Sequence, residues 1–188
     1  TEVLLELYNL LGFKMLEHIE GMYAFGIFDN LKKSFFLARD HIGIKPLYYF
    51  KANNIFAFSS EVKAFYSSKI KKFEINKKKI DEFTVHGYVY GNETMHKDVY
   101  ELNPGHFLIG SNKEIQIKKF WDVNKNFRES KLNFVESSKN LERRLIDVIK
   151  EWCISDVKIG CLLSGGLDST FVATISSEVK KVAMFTSY

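Results

Sequence analysis

The run Leu162-Leu163-Ser164-Gly165-Gly166-Leu167-Asp168-Ser169 holds the most chemically pointed spacing in the chain. Two adjacent glycines after an apolar run let the backbone turn sharply and let a ligand approach the main-chain N–H groups. A helix beginning there would aim its unpaired N–H groups and positive dipole end at the same loop, which suits a phosphate. Ser164 and Ser169 add hydroxyl donors. Asp168 would repel a bare phosphate, so its chemistry is that of a helix cap or of a ligand for Mg²⁺ bridging to phosphates. Spacing rules out two rivals. A Walker A loop needs Lys-Ser/Thr after its last glycine, where Leu167-Asp168 stands. A nucleophile elbow needs glycine two residues before the serine, where Leu162 stands. Gly-Gly between a strand and a helix is as often a plain turn; the serines, the aspartate and their setting favour phosphate.

Other reactive side chains read as structure. Cys153 and Cys161 form no CxxC pair, and His18, His41, His86, His96 and His106 fall at no metal-ligand spacing. Both cysteines read as buried structural thiols in a reducing compartment. Arg39 and Asp40, at a strand end before a turn, read as a structural ion pair. Thr1 could act as an N-terminal nucleophile only if a strand held it in a site, and the residues after it look helical. Lys71, Lys72, Lys77, Lys78 and Lys79 lack the arginines and exposed aromatics of a nucleic-acid groove and read as solvated surface.

The elements that must position these residues follow from patterning. The chain has 188 residues, 46% hydrophobic and 27% charged, with net charge +4. That is an ordinary folded composition and slightly more than one domain of length. No apolar run approaches the length of a membrane span. Val3, Leu4, Leu7, Leu10 and Leu11 mark a helix over Glu2–Leu11, and a short helix is expected at Met15–Ile19. Short aromatic and β-branched runs at 21–29, 34–39, 46–51 and 55–59, separated by Asp29-Asn30, Gly43 and Asn53-Asn54, predict an antiparallel meander. Its first strand is apolar on both faces and is expected to lie centrally. Helices are expected at 61–66 and 78–86, and a hairpin over 107–121 turning at Ser111-Asn112-Lys113.

Residues 122–133 lose apolar periodicity and read as a linker. Beyond it, a helix from about Phe134 to Trp152, a buried strand at 159–163, the glycine loop, a helix at 168–179 and a strand at 182–186 make one parallel βαβ unit.

Ser164–Ser169 resembles the SGGxDS pyrophosphate loop of the ATP-pyrophosphatases, most closely that of glutamine-dependent asparagine synthetases, and Ser155-Asp156-Val157 is similar to the lead-in seen there. Glu20–Asp29 (EGMYAFGIFD) resembles that family's EGMFAFAIWD. Leu37–Tyr49 resembles LARDRxGIKPLYY, Phe58–Ala64 resembles FASEIKAL, and Leu102–His106 resembles LxPGH. The resemblance implies an α+β N-terminal-nucleophile-type sandwich, partial because its N-terminus is missing, followed by the start of an α/β parallel-sheet ATP-pyrophosphatase domain. Residues 1–121 would be the C-terminal portion of a class-II glutaminase domain, 122–133 a linker, and 134–188 the beginning of the ATP-binding domain. Thr1 and Tyr188 are then cut ends.

The implied activity is a carbon–nitrogen ligase making asparagine from aspartate, ATP and glutamine through β-aspartyl-AMP, releasing AMP and pyrophosphate. Leu162, Ser164, Gly165, Gly166, Leu167, Asp168 and Ser169 would hold ATP, with Asp168 on Mg²⁺. Met22 and Ile44 would line a passage for ammonia, though buried Met and Ile are equally ordinary core residues. No catalytic residue falls here, because the family's N-terminal cysteine would lie upstream, and the isolated chain is expected to be inactive. Small-molecule substrates, no nucleic acid, no membrane and a cytoplasmic location are implied, with a homodimer left open. A β-lactam synthetase-like or cell-surface amide-forming relative, or a non-catalytic nucleotide-binding remnant, would carry the same motifs.

Overall fold

The computed structural model describes residues 1–52, 55–111 and 114–186. The turn expected at Asn53-Asn54, and Asn112-Lys113 of the later one, fall outside the described residues. The chain divides into two compact units, Thr1–Phe127 and Arg128–Tyr188.

In the first unit, helix α1 (Glu2–Leu11) runs into a 3-10 turn, Gly12–Glu17, in place of the short helix expected at Met15–Ile19. Strands β1 (Ala24–Asp29), β2 (Ser34–Arg39), β6 (His106–Ser111) and β7 (Ile115–Lys119) form an antiparallel sheet in the order β1-β2-β6-β7. A second antiparallel sheet has β3 (Tyr48–Ala52) between β4 (Ile55–Ser59) and β5 (Val99–Glu101). The expected single meander is therefore split between two sheets, and residues 40–47 cross from one to the other. Helices α2 (Lys63–Ser67) and α3 (Lys77–His86) follow β4.

Strand alternation explains the layering. On β2, Phe36 and Ala38 pack on one side with Met15, Leu16 and Phe107, against Leu4, Leu7 and Tyr8 of α1. Leu37 points to the other side, among Leu47, Tyr49, Leu102 and Leu108 of the facing layer. On β3, Phe50 turns away from that interface to meet Phe65 of α2, Phe73 and Val99. Helix, sheet, sheet and helix are thus stacked in an α+β sandwich. Phe36, Leu37, Phe50 and Leu108 are at most 1% exposed, and each such burial stabilises by about 1.5–3 kcal/mol.

Two expectations are corrected. Among the described residues β1 lies at the edge of its sheet, bonded to β2 alone. Its two apolar faces reflect cover from both neighbouring layers, which an edge strand also receives. On the side of the second sheet, a Cβ on Gly26 would come within 2.7 Å of Leu37 and of Phe58 from β4, so the packing of the two sheets at that point needs the glycine. Lys79 is 7% exposed rather than solvated. Its ammonium pairs with Glu82 at 2.8 Å and Glu93 at 3.5 Å and donates to the Tyr90 carbonyl at 3.0 Å, which compensates the charge it buries.

The second unit begins with α5 (Phe134–Trp152), entered through a capping box in which Asn133 and Glu136 satisfy each other's backbone N–H. Strand β8 (Gly160–Leu162) leads through the glycine loop into α6 (Leu167–Val179), and β9 (Ala183–Phe185) returns parallel to β8. Ile149 of α5, Cys153 at its C-cap and Ile175 of α6 form the core, with Ile146, Ile159 and Phe171 around them. The expected βαβ order is present. The burial expected for β8 is not, since Leu162 is 83% exposed and Cys161 only partly buried; a two-stranded sheet has too little around it to cover both faces. A short helix α4 (Val123–Asn126) occupies the start of the stretch read as a linker.

Candidate functional site

The glycine loop sits where a parallel strand hands over to a helix. The Leu163 N–H donates to the Phe185 carbonyl at 2.7 Å, extending the β8–β9 pairing by one step before the chain turns. Gly165 has φ +78°, a left-handed conformation that favours glycine. Gly166 is the N-cap of α6 in extended conformation, with no side-chain cap. Asp168 is therefore in the first helical turn and is not the cap. The first-turn N–H groups lack intrahelical partners and face the loop with the positive end of the helix dipole.

The loop's hydroxyls are bonded to each other. Ser164 Oγ and Ser169 Oγ lie 2.9 Å apart, and Ser169 Oγ also donates to the Gly166 carbonyl at 3.1 Å. Ser164 Oγ accepts from the Gly166 N–H at 3.4 Å, and Ser169 Oγ from the Ser164 N–H at 3.3 Å. These contacts preform a tight ring from which donors can be redirected. Leu162, Ser164, Gly165, Gly166, Leu167 and Asp168 are all exposed, and Ser169 is half-buried. The arrangement can do one thing chemically: present several N–H and O–H donors to an anion.

The fit to a divalent cation is limited to one carboxylate. Asp168 makes no hydrogen bond or ion pair among the described residues, and no group of three or more His, Cys, Asp or Glu is assembled among them. One carboxylate beside phosphate oxygens and water is the usual environment of Mg²⁺ on a nucleotide.

A second concentration of polar contacts surrounds Arg39 and Asp40 in the first unit. The expected pair is not made between them. Arg39, 7% exposed, pairs with Glu101 at 2.8 Å. It also donates to the carbonyls of Lys45 at 2.8 Å, Leu102 at 2.7 Å and Gly43 at 2.8 Å. Asp40, 1% exposed, accepts through Oδ1 from the N–H groups of Ile42 at 3.2 Å and Ile44 at 2.9 Å. Through Oδ2 it accepts from Lys45 at 3.0 Å and Tyr23 at 3.3 Å. One side chain thus takes the carbonyls of the 42–45 loop and the other its amides. Burial works against the Asp40 charge, but the N–H groups of Lys45, Ile44, Gly43 and Tyr23 outweigh it and hold the carboxyl below its ordinary value. Gly43 has φ +73° and lies against the Arg39 guanidinium, where a Cβ would meet it at 3.1 Å.

Burial, then the Asp40 charge, push the Tyr23 phenol well above its ordinary range, and its hydroxyl has no partner among the described residues. Met22 and Ile44 are 43% and 39% exposed and border this network, Met22 as the neighbour of Tyr23 and Ile44 through its own amide. The signal for the network was the density of Arg-Asp and Gly-Ile-Lys-Pro in one stretch. Glu101 and Leu102, more than sixty residues away, carry no local mark of their role.

Comparison with known proteins bears on both regions. The glutamine amidotransferase domain family matches residues 1–121, and the asparagine synthase family matches residues 140–188. A Methanocaldococcus jannaschii protein whose name places it among the asparagine synthetases (glutamine-hydrolyzing) is 37% identical over 95% of this chain and 35% of its own length. Asparagine synthetase (glutamine-hydrolyzing) 3 of Bacillus subtilis is 30% identical over 94% of this chain and 29% of its own. Amidase chry2 of Gibberella zeae is 27% identical over 96% of this chain and 27% of its own. The chain spans about a third of the length of these curated relatives. With its α+β sandwich and a family match over residues 1–121, the chain belongs to the glutamine amidotransferase domain family.

Proposed function

We propose that the protein containing this chain is a glutamine-hydrolysing asparagine synthetase, a ligase that makes asparagine from aspartate, ATP and glutamine. The observation that carries the reading is the donor-rich turn Ser164–Ser169 at the start of α6, inside the segment matched by the asparagine synthase family and in one chain with an amidotransferase domain. The reading divides the chain into the C-terminal portion of a glutaminase domain (1–121), a linker (122–133) and the opening of an ATP-pyrophosphatase domain (134–188).

In this reading the amides and hydroxyls of Ser164, Gly165, Gly166, Leu167 and Ser169 bind the pyrophosphate portion of ATP, and the Leu162 backbone lies against the adenine. Charge on the departing pyrophosphate is where fixed donors help most, because they need no reorganisation as that charge develops. Asp168 would hold Mg²⁺, which supplies charge neutralisation on the phosphates. Aspartate attacks the α-phosphate to give β-aspartyl-AMP and pyrophosphate, and ammonia from glutamine displaces AMP. Met22 and Ile44 border the ammonia's route. The glutaminase nucleophile has no counterpart among these residues. A cytoplasmic location fits such a metabolic enzyme, and no helix among the described residues is long and apolar enough to cross a membrane.

The test is pyrophosphate and AMP release by the full-length protein with glutamine, ATP and Mg²⁺, compared across amino-acid acceptors. Aspartate should give the highest rate, with asparagine as product. A higher rate with another acceptor, or release indifferent to aspartate, overturns the reading.

A further inference from the structure

Residues 74–76 lie antiparallel to residues 95–97. Ile75 bridges to His96, the Asn76 N–H donates to the Met95 carbonyl at 2.8 Å, and the Lys97 N–H donates to the Glu74 carbonyl at 2.9 Å. This pairing brings Lys97 beside a run twenty residues earlier, and Lys72, Lys77, Lys78 and Lys97 together line a cavity of about 850 Å³ with Glu74. The carboxylates of the neighbourhood are already taken. Glu74 pairs with Lys97 at 2.8 Å, Asp98 with Lys71, and Glu82 and Glu93 with Lys79. Lys72, Lys77 and Lys78 are exposed and make no ion pair among the described residues, not even with Asp81 one helical turn further on. These three ammonium groups correspond to most of the chain's surplus charge of +4. A merely solvated face mixes both signs, whereas a one-signed surplus gathered around a concavity raises the local concentration of the opposite charge.

We propose that this cavity binds a small polyanion of the di- or triphosphate class. Its volume falls within the range of small-molecule sites, about 300–1,000 Å³. None of the chain's four arginines, Arg39, Arg128, Arg143 and Arg144, lines it. A nucleic-acid track would call for arginines, and so would fork-like recognition of a carboxylate. Lysines meet phosphate oxygens as point charges. Each such contact is weak when exposed, so three of them around one cavity suit a ligand that carries several charges. The carboxylates that could have neutralised them are held by Lys71, Lys79 and Lys97, and the balancing charge therefore comes from outside the fold. The site belongs to the first unit and does not depend on the function proposed for the Ser164–Ser169 loop.

The experiment is acetylation footprinting of the full-length protein, read by mass spectrometry at each lysine, with tripolyphosphate as the probe at constant ionic strength. At about 1 mM probe, Lys72, Lys77 and Lys78 should react at least about threefold more slowly, a difference that screening alone does not make between exposed lysines. Lys33 and Lys131 are also exposed and unpaired among the described residues, and their rates should change by less than about 1.5-fold. Lys78→Gln, a change at an exposed side chain, should remove most of the protection of Lys72 and Lys77. Gly166→Ala should leave that protection unaltered, which separates this cavity from the glycine loop. ATP without Mg²⁺ is the second probe: protection equal to that by tripolyphosphate assigns the site to the phosphate chain alone, and stronger protection assigns it to a nucleotide. Equal slowing at Lys33 and Lys131 means an adventitious ion only and overturns the site. Protection that survives Lys78→Gln overturns it too, and protection lost in Gly166→Ala overturns its independence from the loop.

Discussion

The crossing at Ile42–Lys45 and the turn at Ser164–Ser169 look alike as sequence: each is a glycine-bearing, motif-like stretch following a strand. Their hydrogen bonds go to opposite places. In the first, the amides of Ile42, Ile44 and Lys45 and the carbonyls of Gly43 and Lys45 end on two side chains that are nearly inaccessible to water. In the second, the hydroxyls close on one another, the helix has no side-chain cap, and all but the half-buried Ser169 is exposed. The first loop is complete without a ligand; the second keeps donors in reserve. A dense motif therefore marks a demand for defined geometry, and only the destination of its polar groups says whether that geometry serves the fold or a ligand.

Substitutions can break this contrast. The largest effect should come from Asp40→Ala, which leaves four amides without their acceptor and Arg39 without its neighbouring charge. A loss of about 3–5 kcal/mol in urea unfolding is expected for removing one member of such a buried network; a loss below about 1 kcal/mol would mean that water replaces the carboxylate freely.

The same group predicts a pH dependence. Its folded pKa lies below the ordinary carboxylate value, so its stabilising contribution is complete above the unfolded value near about pH 4 and is lost as pH falls through the lower folded value. The stability difference between wild type and Asp40→Asn should shrink between about pH 5 and about pH 2. A difference that grows over that interval would reverse the assignment.

The second loop should respond less in stability and more in binding. Gly165→Ala forces a side chain into a left-handed conformation and should cost about 1 kcal/mol. Gly166→Ala is compatible with its backbone, and the new Cβ would sit 3.4 Å from Ser164 Oγ; a stability change within about 0.5 kcal/mol is expected. In the proposed function its methyl group would stand in the path of the phosphates, so titration with ATP and Mg²⁺ should show at least about tenfold weaker binding. Smallest of all in stability should be Asp168→Ala, within about 0.5 kcal/mol, with the loss confined to Mg²⁺-dependent nucleotide binding. Unchanged binding in both variants would remove the loop from the nucleotide site.

Much of this architecture was legible because it rests on short-range pattern. The aromatic alternation at 24–29 and 34–39, the amphipathic stripe over 134–152 and the strand–glycine–helix–strand order each report a local periodicity that the fold keeps. Other features had no local record. Strand β5 is three residues long and owes its existence to pairing with β3. Lys79 is buried because Glu82, Glu93 and the Tyr90 carbonyl close over it, while its lysine-rich neighbourhood suggests the reverse. The position of β1 at a sheet edge among the described residues could not be inferred from faces that are apolar for another reason. Arg39 and Asp40 stood out in the sequence, but their mutual adjacency suggested a bond that the structure spends elsewhere. The candidate nucleotide loop was the most readable, since its chemistry is carried by backbone and neighbouring hydroxyls within six residues.

The reach of the Arg39 and Asp40 contacts also has a consequence for biosynthesis. Arg39 needs the Leu102 carbonyl, and the Asp40 carbonyl receives the Gly105 amide. At a synthesis rate of about 5–20 residues per second, the chain between Asp40 and Gly105 takes about 3–13 seconds to appear. Throughout that interval two charges destined for burial have only part of their partners, and β2 cannot be sealed against β6. The nascent first unit should therefore stay sensitive to protease until β6 (His106–Ser111) clears the ribosome, and then become resistant abruptly.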